Sequence, residues 1–384
     1  MINTTIEKQC TVTSSKRVHL SERTSSGVPF YCSKEIIEKV NGGMPSETDF
    51  ISEEQYKIIK DRFGVPQPKD LLLTTRGTIG VPYLYKSNDK FYFADGNLTW
   101  LKDFKSTLSS KYLYYWFQTK EARKCLEAIS KGTAQQALSI EGLKRLSIRI
   151  PDIKIQDQIC EILSAYDDLI ENNQKQIKLL EEAAQRLYKE WFVDLHFPGH
   201  EQTKIVDGVP EGWEEAEVGD VIGSIKRTTQ IKTGDYHITG KIPVIDQSRD
   251  FIAGYTDDET SKIIMDDAVI LFGDHTRILK YITFPFAKGA DGTQVIVSNN
   301  ENLPQVLFYW HLKNINLSNY HYARHFKYLK QHKIVVPIKA VSSEFASRVN
   351  PIMKQIQTLR DAIHCTSLAR DYLLPKLMNG EIEI

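Results

Sequence analysis

The sequence predicts an α+β protein in which two globular blocks of mixed secondary structure alternate with two long helices. Two observations lead to this fold class. A heptad pattern of apolar residues runs through the middle of the chain, and the same pattern returns near the end at a constant offset. The 384 residues, 41% of them hydrophobic and 26% charged, are typical of a soluble protein of two or three domains.

The first heptad pattern lies between Asp157 and Phe192, a stretch without proline or glycine. Its seam positions recur in alternating steps of four and three, at Ile159, Leu163, Tyr166, Ile170, Asn173, Ile177, Leu180, Ala184, Leu187 and Trp191. A seam kept over about five heptads predicts a long coiled-coil helix. Asn173 is its polar member, and a buried Asn can fix the register of paired helices; the alternative is a hydrated point of the seam.

The second pattern repeats the first in the same phase, 186 residues later. Eight of its ten positions are apolar, the exceptions being Thr366 and Arg370. The ten positions are Phe345, Val349, Ile352, Ile356, Leu359, Ile363, Thr366, Arg370, Leu373 and Leu377. The offset also aligns LKRLSIRIP, residues 143–151, with LKQHKIVVP, residues 329–337. Because an interior proline costs about 3 kcal/mol or kinks a helix, Pro351 predicts that the second helix is bent or begins later.

The segments before each helix have mainly β character. Residues 70–85 and 90–101 predict strands with glycine-containing turns, and residues 105–129 predict a helical stretch. The second block has the same order, with strands over 266–298 and a helix over 303–315. We therefore expect two related globular blocks.

These patterns give four predicted segments and a linker near Pro198 and Gly199. The segments are a first globular block at 1–150, a central helix at 151–195, a second globular block at 196–337 and a C-terminal helix at 338–384.

The net charge of zero conceals an uneven distribution. Residues 1–150 carry 23 Lys and Arg against 16 Asp and Glu, a net of +7, whereas residues 195–337 carry 15 against 18, a net of −3. The first block therefore has the charge of a protein that binds polyanions, and the second does not.

The composition also predicts a compartment. The five cysteines are scattered without a C-x-x-C pair, which disfavours a zinc ribbon or a disulfide framework and favours a reducing, cytoplasmic setting. We find no apolar run of membrane-spanning length and no signal-peptide pattern at the N-terminus.

Motifs of nucleotide-dependent or hydrolytic enzymes are missing from the sequence. It has no G-x-G pair, no G-K-[ST], no H-E-x-x-H and no G-x-S-x-G, and its single Asn-Pro pair, Asn350-Pro351, lacks the second proline and aromatic residue of DNA adenine methyltransferases. We therefore predict a binding protein that has no cofactor. Two alternatives stay open: a coiled-coil scaffold whose globular ends bind proteins, and a DNA-modifying enzyme with an unrecognised active site.

Several segments resemble the specificity subunits of type I restriction–modification systems over essentially the full length. They are RIPDIKIQDQICEIL and LLEEAAQRLYKEWF in the centre, VVPIKAVSSEF and ARDYLLPKLMNGEI at the end, VPEGWEEAEVGDVI at the start of the second block, and KGTAQQALSIEGL before the first helix. The first block departs from this pattern, because it lacks the Gly-Trp opening found at Gly212-Trp213.

The resemblance implies that both globular blocks are target-recognition domains and that the two long helices pack antiparallel and separate them. It also implies a non-catalytic subunit that reads a bipartite, gapped target in double-stranded DNA. Its partners would be two methyltransferase subunits, which supply the S-adenosylmethionine chemistry, and the restriction and translocation subunits.

A polar loop follows a strand-like run in each block. Arg76, in a glycine-containing loop, can form a bidentate pair with guanine O6 and N7, and its neighbours Thr75 and Thr78 are further candidate DNA contacts. At the comparable strand end of the second block stand Asp274, which can accept a hydrogen bond from cytosine N4, and the candidate contacts His275, Thr276 and Arg277. The alternative for the first loop is a surface turn with a solvated Arg76. The alternative for the second is a polar hairpin turn in which Asp274 and His275 hydrogen-bond to their own backbone.

Further candidates lie outside these loops. KGTAQQ contributes Lys131, Thr133, Gln135 and Gln136, and NYHYARHFKYLK contributes Arg324 and Lys327; the alternatives are an ordinary loop and a structural helix end. Two basic pairs suit phosphate contacts, although any exposed basic pair looks alike: Lys16-Arg17 and Lys226-Arg227.

Overall fold

The computed structural model describes residues 1–43, 45, 48–130, 137–289, 291–318 and 324–384. Two compact units divide the chain: one comprises residues 1–174 together with 362–384, and the other comprises residues 175–361. Within the described ranges, no helix combines the length and the apolar character needed to cross a membrane.

The first unit contains short strands and helices, followed by a long helix that continues into the second unit. The strands are β1 (Ile2–Thr5), β2 (Thr11–Thr13), β3 (Val28–Tyr31), β4 (Asp49–Ile51), β5 (Leu71–Thr74), β6 (Pro82–Leu84), β7 (Tyr92–Phe93), β8 (Leu98–Lys102) and β9 (Ser147–Ile150). The helices are α1 (Ile6–Gln9), α2 (Ser33–Val40), α3 (Glu53–Phe63), α4 (Ser110–Phe117), α5 (Lys120–Ser130), α6 (Ile140–Arg145) and α7 (Ile153–Phe192).

The second unit is richer in strands and ends in another long helix, which continues into the first unit. Its strands are β10 (Ile205–Val206), β11 (Val209–Pro210), β12 (Glu214–Glu217), β13 (Ile242–Ile245), β14 (Gly254–Thr256), β15 (Lys262–Ile263), β16 (Val269–Gly273), β17 (Leu279–Ile282), β18 (Phe286–Lys288), β19 (Thr293–Ile296) and β20 (Lys333–Val336). Its helices are α8 (Gln305–Asn314), α9 (His325–Gln331) and α10 (Lys339–Asn379).

The two units share a sheet topology. In the first, β5 lies between β6 and β8, and β3 pairs with β4 antiparallel and with β7 parallel. In the second, β16 lies between β17 and β19, and β13 pairs with β14 antiparallel and with β18 parallel. The central strands β5 and β16 are buried along their whole length, which explains their continuous apolar sequence.

A strand pair closes each unit beside the long helices. β1 pairs antiparallel with β9, as Ile2 opposite Ile150 shows, and β12 pairs antiparallel with β20, with Glu214 opposite Val336. The first unit thus has the opening strand of the repeat without the Gly-Trp sequence that precedes β12.

Both predicted long helices are present, α7 with 40 residues and α10 with 41. In the first unit, Asp167 of α7 pairs with Arg370 of α10, whereas the earlier residues Ile159 and Leu163 share a core with the later residues Leu374 and Leu377. In the second unit, Glu181 of α7 pairs with Arg360 of α10, whereas the later residue Trp191 of α7 contacts the earlier residue Phe345 of α10. Within each unit the helix segments therefore run antiparallel. The predicted fold class is confirmed.

Pro351 does not delay the start of the second helix, so that part of the expectation was wrong. Helix α10 begins at Lys339 and continues through Pro351. Pro351 is exposed, while Val349, Met353 and Ile356 are buried in the core of the second unit. The apolar face of α10 thus packs on both sides of the proline, and this burial offsets the missing backbone hydrogen bond.

The helix predicted over residues 105–129 is two helices, α4 and α5. Thr119 lies between them, and its hydroxyl accepts a hydrogen bond from Ala122 N at 3.1 Å. This bond satisfies a free N–H group at the start of α5, so the chain can turn there.

Candidate nucleic-acid interface

The loop after β5 is held by a residue that the sequence analysis took as a DNA contact. Thr75 N donates to Asn97 O at 2.8 Å, and Thr75 O accepts from Leu138 N at 3.0 Å. Its side chain is only 2% exposed, and the hydroxyl donates to Gly96 O at 3.3 Å. Thr75 therefore anchors the loop and offers DNA no free group.

Arg76 is the exposed cation of this loop. Its guanidinium lies beside Gly96, where an added Cβ atom would stand 3.9 Å from the Arg76 Cζ atom. Gly96 and Gly77 have φ of +72° and +73°, a conformation that favours glycine. Thr78 is exposed as well, and its carbonyl accepts a hydrogen bond from the Thr74 hydroxyl at 2.7 Å.

Arg17 reaches the same turn from the N-terminal segment. Its Nε donates to Asp95 Oδ2 at 2.8 Å, and the Arg17 side chain is 67% exposed. Lys16 is also exposed, with its ammonium group 5.3 Å from the ring centroid of Phe63. The first unit thus brings Arg17 and Arg76 to one turn, while Asp95 offsets part of their charge.

The loop after β16 in the second unit has the same backbone connections. Asp274 N donates to Gly292 O at 2.7 Å, and Asp274 O accepts from His325 N at 3.0 Å. Asp274 is 4% exposed, and its Oδ1 accepts from Phe326 N at 2.7 Å at the start of α9. The hypothesis that this carboxylate contacts cytosine does not fit, because it caps a helix inside the unit.

His275, Thr276 and Arg277 are exposed on this loop. Arg277 has φ of +61°, and its Nη1 donates to Leu317 O at 3.3 Å, so part of the guanidinium is already bound. The His275 ring lies against Gly292, where an added Cβ would approach Cδ2 to 2.8 Å.

The other basic candidates of the second unit are exposed too. Arg324 precedes α9 and Lys327 lies in its first turn, while Lys226 and Arg227 lie in a segment without regular secondary structure. Burial, and then the positive charge of Arg277, lower the pKa of His325, the buried first residue of α9.

Four predicted contacts fall outside the described residues, namely Lys131, Thr133, Gln135 and Gln136. Ala137, the next described residue, forms an isolated β-bridge with Arg76.

Two residues of these sites escaped the sequence analysis. Ser33 and Gln247 each stand two residues after an equivalent strand, β3 or β13, and each hydrogen-bonds to the turn beside the loop. Nothing in the sequence marks them, because their partners are distant in the chain. Among the described side chains, no group of three His, Cys, Asp or Glu residues is placed to hold a metal ion.

Comparisons with known proteins agree with this geometry. A family model described as the type I restriction modification DNA specificity domain matches residues 13–182. The MjaIX specificity subunit of Methanocaldococcus jannaschii is 27% identical over 344 residues, which cover 82% of this chain and 78% of that protein. The EcoR124I/EcoR124II specificity subunit of Escherichia coli is 32% identical over 112 residues, covering 28% of this chain and 27% of its own.

A crystal structure shares the fold. The S subunit of a type I restriction–modification system from M. genitalium aligns with 98% of this chain and 95% of its own, with a TM-score of 0.60 and 18% identity. Residues 13–182 thus match the type I restriction modification DNA specificity domain, and the chain as a whole is similar in sequence and in fold to specificity subunits of type I restriction–modification systems.

Proposed function

We propose that this chain recognises a bipartite DNA target, in which each globular block reads one half-site and unread base pairs separate the two. The main support is the duplicated loop at the end of the central strand. Both loops are anchored by two backbone hydrogen bonds and expose polar side chains: Arg76 and Thr78 in one, His275, Thr276 and Arg277 in the other. Such side chains on a rigid base suit direct contacts with base edges.

We propose that exposed basic residues of each block contact phosphates and so place each loop over its bases. Lys16 and Arg17 serve the first block, and Lys226, Arg227 and Lys327 serve the second. Phosphate contacts fix position without reading sequence. In the second block they also counter the net negative charge of residues 195–337.

Catalysis in this proposal belongs to the partners. Two methyltransferase subunits and the restriction and translocation subunits would assemble on this chain and act at the DNA that it selects. The relatives' names support this, because they describe specificity subunits of type I restriction enzymes.

Mapping methylated bases tests the bipartite target. The chain is produced with the methyltransferase encoded beside it, and methylation is mapped across host DNA. We expect one motif of two short specific parts separated by a gap of constant length. Methylation at a continuous motif, or the same motif in cells lacking this chain, would contradict the proposal.

Salt dependence separates DNA recognition from a role as a protein scaffold. Because Lys and Arg displace counterions from the duplex, affinity for the mapped target should fall steeply between about 50 and 200 mM salt. A scaffold would show no salt-sensitive preference for this duplex over one with a scrambled sequence.

A further inference from the structure

Gln247 joins three loops at the recognition surface of the second unit. Its Oε1 accepts from His275 N at 3.1 Å, and its Nε2 donates to Asp291 O at 2.8 Å. One side chain therefore ties the loop after β13 to the loop after β16 and to the turn before β19. Both polar atoms are engaged within the protein.

Two glycines pack closely against the Gln247 side chain. An added Cβ on Gly273, the last residue of β16, would lie 2.7 Å from the Gln247 Cβ. On Gly292 it would lie 3.1 Å from Gln247 Nε2. Both distances are tight for carbon contacts, so the close approach of the three loops depends on glycine here.

Ser33 makes the corresponding connection in the first unit. It stands two residues after β3, as Gln247 does after β13, and its hydroxyl donates to Asn97 O at 3.0 Å. That carbonyl also accepts from Thr75 N, the residue before Arg76. Each unit thus has, at this position, a side chain that binds the turn before β8 or β19, and Gln247 also binds the loop after the central strand itself.

We infer that Gln247 and Ser33 are positioning residues that set base discrimination in the half-site read by their own unit without contacting DNA. The inference rests on the proposed function. A loop held at three points presents its side chains to bases in one arrangement, whereas a released loop samples several. Discrimination at every base pair read by that loop then falls together.

Methylation mapping with paired variants tests this. Gln247→Leu removes both hydrogen bonds at similar volume and should reduce discrimination by about tenfold at two or more base pairs of one half-site, leaving the other half unchanged. Ser33→Ala should do the same to the opposite half-site. Loss confined to a single base pair would show that Gln247 reads a base itself, and unchanged discrimination would show that the brace has no effect; either result overturns the inference.

A second variant serves as the control for a folding defect. Gln247→Glu keeps an acceptor for His275 N but replaces the donor to Asp291 O with an oxygen, so it should relax the same base pairs while the melting temperature stays close to that of the unchanged chain. Equal losses in both half-sites would point to general destabilisation and count against the inference. A gapped motif that all variants read normally overturns the inference alone, whereas absence of a gapped motif with the unchanged chain overturns the proposed function as well.

Discussion

Thr75 and Asp274 hold the same position after the central strand of their units, yet their side chains are used differently. The backbone of each makes the same two connections, while the Thr75 hydroxyl binds a turn and the Asp274 carboxylate caps α9. Exposure begins only at the next residue, Arg76 or His275. In each loop, a residue with a structural role is therefore followed directly by a candidate DNA contact.

Arg76→Ala tests direct reading. If Arg76 forms a bidentate pair with guanine, the variant should lose about 1–3 kcal/mol of binding free energy and relax preference at one base pair. Binding to duplexes substituted at each position, measured by fluorescence anisotropy, gives both quantities. Arg17→Ala is the matched control, because loss of a phosphate contact weakens all sequences alike and lowers the salt slope. The same pattern from Arg76→Ala would assign Arg76 to the backbone.

His311 makes the second unit sensitive to acid. It is buried beside Phe192, and its Nδ1 lies 2.9 Å from the Tyr188 hydroxyl. Burial lowers the pKa of His311 to about 3, below the ordinary value of 6.5. As the pH falls through 6.5, the unfolded chain takes up this proton before the folded chain does. Stability that is present above pH 6.5 is therefore lost towards pH 3.

Unfolding at two pH values measures this loss. Between pH 7 and 5.5 the contribution of His311 to the free energy of unfolding should fall by about 1 kcal/mol. His311→Phe keeps an aromatic ring but cannot titrate, so its stability should fall less over this interval, although it starts lower because Tyr188 loses its partner. Equal losses in both proteins, measured by urea unfolding and tryptophan fluorescence, would exclude His311 as the cause.

At the scale of single elements, the heptad seams were predicted well because helix periodicity is a local property. All ten seam positions of α7 are buried or half-buried, and so are all ten of α10. The seam residue Arg370 keeps a partner, since Nη1 donates to Asp167 Oδ1 at 2.8 Å. The ends were less accurate: α7 spans Ile153–Phe192, whereas the predicted segment was 151–195 and the heptad pattern began at Asp157.

Pro351→Ala should stabilise the second unit. The proline lacks the N–H group that would donate to Ser347 O, and its side chain is exposed. Alanine restores that bond without disturbing the core, so the free energy of unfolding should rise by about 1–3 kcal/mol. Urea unfolding provides the measurement, with Ser347→Ala as a control on the same exposed stretch. A decrease would mean that a proline-dependent bend is needed for packing.

At the scale of the whole molecule, the chain contains one structural unit twice. The shared sheet topology, the equivalent loops and the 186-residue offset of the helical seams all describe the same repeat. Little of the loop sequence is shared, because TTRGT and DHTR differ in nearly every side chain. Such a repeat is consistent with the proposal that the chain reads two different half-sites.

Exchange of residues 196–337 for the equivalent block of a related subunit should change one half of the methylated motif and leave the other half intact. The flanking helices stay unaltered, so partner binding should persist. Exchange of residues 1–150 is the reciprocal control and should change the opposite half. Changes in both halves after either exchange would contradict modular reading.

The sequence by itself determined the two long helices, their repetition and the α+β blocks between them, because apolar periodicity and strand composition act over a few residues. Family resemblance added the antiparallel pairing, which the helix contacts within each unit confirm. Only the tertiary structure decided which polar residues are exposed. Thr75 and Asp274 are residue types that often contact DNA, and nothing in the sequence distinguishes Ser33 and Gln247. All four nevertheless form hydrogen bonds with residues distant in the chain; Asp274, for example, binds a residue 52 positions away. Burial and hydrogen bonding depend on such distant partners, and local pattern carries no information about them.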